Sequence, residues 1–339
     1  MNPGIVKTIS ILLILALLAS CKKEEVTSIG DYTQLPAGFP LRNIPLDNFL
    51  TLDRIALGKI LFYDPILSRD STISCATCHN PILAFTDGLP KSKGIGGQEL
   101  LRNAKSLANV AYHPYYLSEG GVPTLEQQVL VPIQEHPEFD NNILLIADKL
   151  QFRKDIVDLS LKAYFRYPDP YVIVRSISAF ERTFISGNSA YDQYYYQNKK
   201  DALSESQIRG LELFKSERLS CSKCHGGFNF TSYDFQNNGL ALEYVDNGRK
   251  RLTGKDEDNA LFKVPSLRNV EITGPYMHDG SIKTLEEVIE HYNSGGKNHP
   301  NKSQIIKALH LTPQDKQDLI NFLRSLTDYS FIKDKKYRK

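Results

Sequence analysis

Two short stretches of this 339-residue chain bring thiols and imidazoles together: Cys75-Ala76-Thr77-Cys78-His79 and Cys221-Ser222-Lys223-Cys224-His225. C-x-x-C-H is the attachment pattern of c-type haem. Two thioethers clamp the porphyrin vinyl groups, and the adjoining imidazole reaches the iron as proximal ligand. Similar spacing also serves a thioredoxin-like redox pair, a zinc site or a structural disulfide. Of the five cysteines, only Cys21 lies outside the two motifs. No other clustered thiols or histidines complete a zinc set near either motif. Two copies, behind an export signal, favour two covalent haems.

The export signal is at the start. Lys7 precedes an apolar run over residues 9–18, which closes on Leu18-Ala19-Ser20-Cys21. A short apolar stretch behind a cation is a signal peptide, not a spanning helix. Its close resembles the lipobox of bacterial lipoproteins, which implies cleavage before Cys21 and acylation of its thiol and new amino group. A plain signal peptide with a chance cysteine is the alternative. Several acyl chains anchor stably where one does not. The expectation is an exported lipoprotein of the cell envelope, with residues 1–20 as signal peptide and 21–40 as lipid anchor and tether. Hydrophobic residues make up 41% of the chain and charged residues 24%, enough for two domains with real cores. A net charge of +2 gives no electrostatic case for nucleic acid or for an anionic membrane surface.

The chain also repeats itself. Gly58-Lys59-Ile60-Leu61-Phe62 stands before the first motif and Gly210-Leu211-Glu212-Leu213-Phe214 before the second. Ser106-Leu107-Ala108-Asn109-Val110 answers Ser266-Leu267-Arg268-Asn269-Val270, and Thr124-Leu125-Glu126-Gln127 answers Thr284-Leu285-Glu286-Glu287. Thr124, Thr284 and Ser204, each three residues before Gln or Glu, read as capping boxes. Thr312 before Pro313 starts another helix, and residues 172–185 read as an amphipathic helix. The expected fold is mainly α, with two tandem cytochrome c-like haem domains related by duplication. They span 41–200 and 201–339, joined near residues 197–203. Each lobe reads as helix, haem motif, long loop, helix.

At this point the chain resembles the bacterial di-haem cytochrome c peroxidase family, which includes the methylamine-utilisation di-haem enzymes. The resemblance rests on both haem motifs, Arg102-Asn103, Thr124-Leu125-Glu126-Gln127-Gln128, Ala179-Phe180-Glu181-Arg182-Thr183, Val264-Pro265-Ser266-Leu267-Arg268-Asn269 and Gly274-Pro275-Tyr276-Met277-His278-Asp279-Gly280. It implies that Cys75, Cys78 and His79 hold the peroxidatic haem, and that Cys221, Cys224 and His225 hold the electron-transfer haem. It implies Glu138 and Gln128 as the catalytic pair over the first iron. It also implies a calcium ion bound by the Asn103 side chain and the carbonyls of Thr273 and Pro275.

Three positions depart from the peroxidase branch of that family. Ile95 stands where a histidine closes the resting iron. Ser118-Glu119-Gly120-Gly121 stands where the inter-haem tryptophan stretch lies, and the chain has no tryptophan. Tyr292 stands where a methionine ligates the second haem, as in the methylamine-utilisation members. Met277, the only methionine after the leader, ranks second for that role and His291 third. His113, His136, His299 and His310 read as surface or capping residues.

The leading functional expectation is reduction of hydrogen peroxide to water, with electrons from a small redox donor such as a monohaem cytochrome c or copper protein. The alternatives are an oxidase that modifies a partner protein and a non-enzymatic two-haem electron conduit. Dimers are common in the family, so a homodimer is an expected assembly. Mass spectrometry of the mature protein is expected to show two haems and lipid added to the polypeptide. A mass with one haem or none would contradict the reading of the cysteines.

Overall fold

The computed structural model describes residues 28–339. The leader and Cys21 lie outside the described residues. The chain divides into two units, up to Gln34 and from Leu35 onward. In the first, Gly30–Thr33 is a single helical turn, with the Asp31 carboxylate accepting from the Ser28 N–H at 2.8 Å. The rest concerns the second unit.

Its first lobe is built on α1 (Leu52–Phe62), α2 (Leu125–Gln134), α3 (Ile143–Leu150), α4 (Lys154–Tyr164) and α5 (Pro170–Glu181). The second lobe is built on α6 (Glu205–Lys215), α7 (Leu285–Ser294) and α8 (Pro313–Arg324). Two residues each from β1 (Phe235–Gln236) and β2 (Phe262–Lys263) pair antiparallel, Phe235 opposite Lys263. The caps lie where the sequence puts them. Ser204, Thr284 and Thr312 each close a reciprocal capping box, and the Thr124 hydroxyl accepts from the Gln127 N–H at 3.2 Å.

Each lobe turns on one close helix crossing. A Cβ on Gly58 would lie 1.8 Å from the Ser176 carbonyl oxygen and 2.9 Å from the Phe180 Cβ; one on Gly210 would lie 2.0 Å from the Asp318 oxygen and 2.7 Å from the Phe322 Cβ. Glycine alone lets α1 meet α5 and α6 meet α8 at this distance. The same register repeats elsewhere. Arg182 pairs with Glu126 at 2.6 Å as Arg324 pairs with Glu286 at 3.2 Å. The Asn109 N–H donates to Phe184 O at 2.7 Å as the Asn269 N–H donates to Leu326 O at 3.1 Å. The repeat in sequence is therefore a repeat in packing.

Aromatic rings fill both cores. In the first lobe Phe85 stacks on Phe184 at 3.9 Å, beside Phe62 and Phe180. The chain end returns to this lobe, with Phe331 5.7 Å from Phe85 and the Tyr337 hydroxyl donating to Thr183 O at 2.7 Å. In the second lobe Phe214, Phe230, Phe322 and Tyr191 pack together. Beside that core Arg268 and Asp192 are fully buried and paired at 2.8 Å. A buried pair of this kind is costly to break from one side.

Two expectations need correction. The helix expected over 172–185 begins at Pro170, capped by Asp169, and ends at Glu181. Beyond it the Thr183 hydroxyl turns back to Phe180 O at 2.6 Å, a local bond that competes with helix continuation. The first lobe is also more than helix, motif, loop and helix, because α3 and α4 intervene. Gly58→Ala is expected to destabilise the holo-protein by about 1–3 kcal/mol through overpacking. Thermal unfolding checks this; an unchanged midpoint would show that the crossing has slack.

Candidate active site

Each haem motif is one helical turn, Cys75–Cys78 and Cys221–Cys224, followed directly by its histidine. The first turn is opened by Ser74, whose N–H donates to the Thr77 hydroxyl at 3.0 Å in a capping box. The turn places its two thiols on neighbouring positions of one face. Burial pushes the titration of all four thiols up, Cys78 and Cys221 to about 11. These are not the activated thiolates of a redox pair.

The imidazoles are held alike. His79 Nδ1 lies 2.9 Å from Phe85 O, and His225 Nδ1 lies 3.2 Å from Phe230 O. A carbonyl only accepts, so Nδ1 carries the proton and Nε2 is left for a metal. Burial lowers both pKa values, that of His225 to about 4, so the ring stays in its neutral, ligating form.

In the first lobe a pocket opens beside the motif. Cys75, Cys78 and His79 line it together with Gln128 and Val129 of α2, and Glu138 beyond that helix. Leu107, Ile133, Phe139 and Ile177 supply apolar wall, and Glu181 of α5 completes it. Two thiols, an imidazole with Nε2 open and apolar walls fit a covalent haem. His79 is the one imidazole among the lining residues.

Glu138 is placed by a tight loop. Its N–H donates to Glu135 O at 3.0 Å, and its carbonyl accepts from the Ile95 N–H at 2.9 Å. A Cβ on Gly94 would sit 1.8 Å from Pro137 O, so glycine is what allows the two loops to close. Ile95 is buried behind this contact. Burial, and then the Glu135 charge, push the Glu138 carboxyl up to about 7.

The second lobe differs at the matching places. Counting from the caps Thr124 and Thr284, Tyr292 of α7 answers Pro132 of α2. Tyr292 lies within electrostatic reach of Cys224 and Cys221, is hydrogen-bonded by Asn238, and is raised in pKa chiefly by burial. Asn238 Nδ2 also lies 3.0 Å from Met277 Sδ, so both ligand candidates flank one amide. His291 Nε2 is 3.0 Å from Asn238 O, which commits the nitrogen a ligand would use. His278 stacks on Phe262 at 4.1 Å.

Of the residues implied for calcium, Asn103 reaches the segment that follows Pro275. The Asn103 N–H donates to His278 O at 2.9 Å, and its Nδ2 donates to Leu89 O at 2.7 Å, leaving Oδ1 for a cation. Among the described residues no cluster of three His, Cys, Asp or Glu side chains could hold a metal. A cation here would rest on Oδ1 and carbonyls.

Some residues escaped the sequence reading. His299 is not at the surface; it is 7% exposed, and its Nδ1 accepts from the Asn301 N–H at 3.1 Å. His113 is half-buried, 3.4 Å from the Lys263 ammonium, and is held well below its usual pKa, mainly by burial. Glu119, in the stretch without tryptophan, is buried and paired with Arg102, which also grips Asp246 at 2.5 and 3.0 Å. Arg102 and Glu181 carried a prior signal, their places in family motifs.

Comparison with known proteins follows the same division. The family model for di-haem cytochrome c peroxidase matches residues 52–201, and that for cytochrome c matches 207–327. The methylamine utilization protein MauG of Methylorubrum extorquens is 33% identical over 312 residues, covering 91% of this chain and 87% of that protein. The cytochrome-c peroxidase IdrP1 of Pseudomonas sp. (strain SCT) is 30% identical over 354 residues, covering 95% and 93%. The crystal structure of a MauG-like protein associated with microbial copper homeostasis has a TM-score of 0.85 and 33% identity, covering 90% of this chain and 97% of that one. Likeness running through both lobes at this level makes the chain a member of the di-haem cytochrome c peroxidase and MauG family of oxidoreductases, a mainly helical cytochrome with two c-type haems.

Proposed function

We propose that the protein reduces hydrogen peroxide to water in its first lobe, with electrons delivered by a small redox protein. The observation that carries this reading is a pocket shared by the haem-binding turn, Glu138 and Gln128, with no imidazole besides His79. The reaction consumes two electrons and two protons per peroxide and yields two waters. When bound, the haem supplies the iron position at which peroxide sits and the electrons that break its O–O bond.

The side chains supply the rest. Glu138 takes the proton from the inner oxygen and hands it to the outer one, which then leaves as water. A carboxyl that titrates near 7 is matched to that two-way task at neutral pH. Gln128, on the α2 face toward the pocket, orients the peroxide through its amide. Val129, Ile133, Phe139 and Ile177 keep bulk water out, which strengthens each polar contact inside.

Tyr292, buried and within electrostatic reach of Cys221 and Cys224, favours a second reading, an oxidase that modifies a partner protein. A phenolate ligand would lower the potential of the second haem and favour its giving up electrons. The leader places the protein in the cell envelope, tethered by lipid at Cys21. Calcium on Asn103, Thr273 and Pro275 would brace the segment that leads to Met277.

Three outcomes test the reading. Glu138→Gln is expected to keep the haem spectrum and slow the reaction of oxidised protein with peroxide by about a hundredfold to ten-thousandfold. Full-speed reaction in rapid mixing would remove Glu138 from the mechanism. Because the ionised carboxylate is the acceptor, the wild-type rate is expected to fall as pH drops through neutral, and Glu138→Gln to lose that limb. Tyr292→Phe is expected to raise the potential of the second haem, whereas Met277→Leu leaves it near its starting value. The reverse pattern would assign the ligand to Met277. Steady-state turnover with a cytochrome donor, set against oxidation of a partner protein, separates the two readings.

A further inference from the structure

Glu181 is a second carboxyl in the first-lobe pocket, and the peroxide chemistry above does not use it. It ends α5, is 4% exposed, lines the pocket with Glu138 and Gln128, and its Oε2 has no hydrogen-bond partner. Leaving such a group buried and unpaired costs stability.

The twin lobe shows that the fold does not need it. Phe180 and Phe322 meet Gly58 and Gly210 in the same way. Arg182 and Arg324 pair with Glu126 and Glu286. Phe184 and Leu326 accept from Asn109 and Asn269. In that register Glu181 answers Leu323, a buried core residue. The first lobe therefore keeps a carboxyl where the same architecture runs on a leucine.

The Arg182 charge draws its pKa down but does not outweigh burial. Arg182 is next in sequence, but both of its terminal nitrogens grip Glu126, at 2.6 and 2.9 Å. The other titratable groups facing it are Glu126 from α2, Tyr116 from the loop before α2 and Cys75 from the haem turn, with Glu138 across the pocket. None of these offers a cation, and His79, which lines the same pocket, is held neutral by burial. Burial pushes Glu181 up to about 8.

We propose that Glu181 is the redox-linked proton site of the first haem. When that haem takes one electron from the donor, the Glu181 carboxylate takes one proton from solvent; when the electron leaves, the proton returns. One O–H bond forms or breaks, and the pocket keeps its net charge. The extra positive charge of the oxidised iron favours the carboxylate, and reduction removes that charge and lets burial favour the acid. The second haem, with Leu323 at the matching place, has no such partner. The inference uses only the attachment of haem to the first motif and holds whether or not peroxide is turned over.

The test is a redox titration of the two-haem protein, followed by its visible spectra, between about pH 5 and pH 9. The first-haem potential is expected to fall with rising pH, approaching a tenfold change in the equilibrium per pH unit, which is 59 mV for one electron. Glu181→Gln and Glu181→Leu, the latter being the twin lobe's residue, are each expected to flatten that slope with both haems still attached by mass. Glu138→Gln is expected to keep it. A slope that persists in either folded Glu181 variant, or that vanishes in Glu138→Gln instead, overturns the proposal. So does a flat wild-type profile.

Discussion

One ring nitrogen of one histidine in each lobe is held by a phenylalanine carbonyl, and the remaining architecture serves that contact. Phe85 O and Phe230 O fix Nδ1 of His79 and His225 as donors, so Nε2 is left in its ligating form. To deliver those carbonyls the chain must turn back onto its own haem motif. Phe85 and Phe230 are anchored for this in the aromatic cores, against Phe184 and Phe322. Those rings in turn depend on helices that cross at a glycine. The imidazole, the core ring and the crossing form one mechanical unit, present twice.

On this shared frame the lobes diverge at a few positions, and the divergence separates their chemistry. Pro132 stands where the second lobe has Tyr292, so that place on α2 offers no ligating atom. Ile95 is buried behind the Glu138 loop and offers none either. Glu138 and Glu181 bring two carboxyls, both raised by burial, into the first pocket. Perturbed acids gathered in one cavity mark a functional site. The second lobe carries Leu323 at the matching place and a buried phenol, Tyr292, within electrostatic reach of its haem cysteines. The first pocket gathers carboxyls beside its haem-binding turn, and the second lobe sets a leucine and a tyrosine at the matching places.

Much of this was legible in the sequence because it is written in local patterns. C-x-x-C-H spacing, Thr and Ser caps and the repeated segments each lie within a few residues of one another. The family likeness supplied Glu138, whose environment depends on two loops that close only in space. Other features had no local signal. Helices α3 and α4 have no counterpart in the repeat, so the duplicated pattern hid them. His299 looks like a loop residue until its bond to Asn301 is seen. The significance of Glu181 emerges only when both lobes are placed in one register, since α5 and α8 share little sequence beyond Phe180-x-Arg182 and Phe322-x-Arg324.

The central claim is that the first lobe leaves its iron open beside Glu138, whereas the second closes its own. Low-temperature electron paramagnetic resonance of the fully oxidised two-haem protein reads this directly. The account predicts one high-spin haem, assigned to the first lobe by its loss in a His79→Gly variant, together with one low-spin haem. Two low-spin haems in the oxidised protein would mean that a side chain closes the first iron, and would contradict the account.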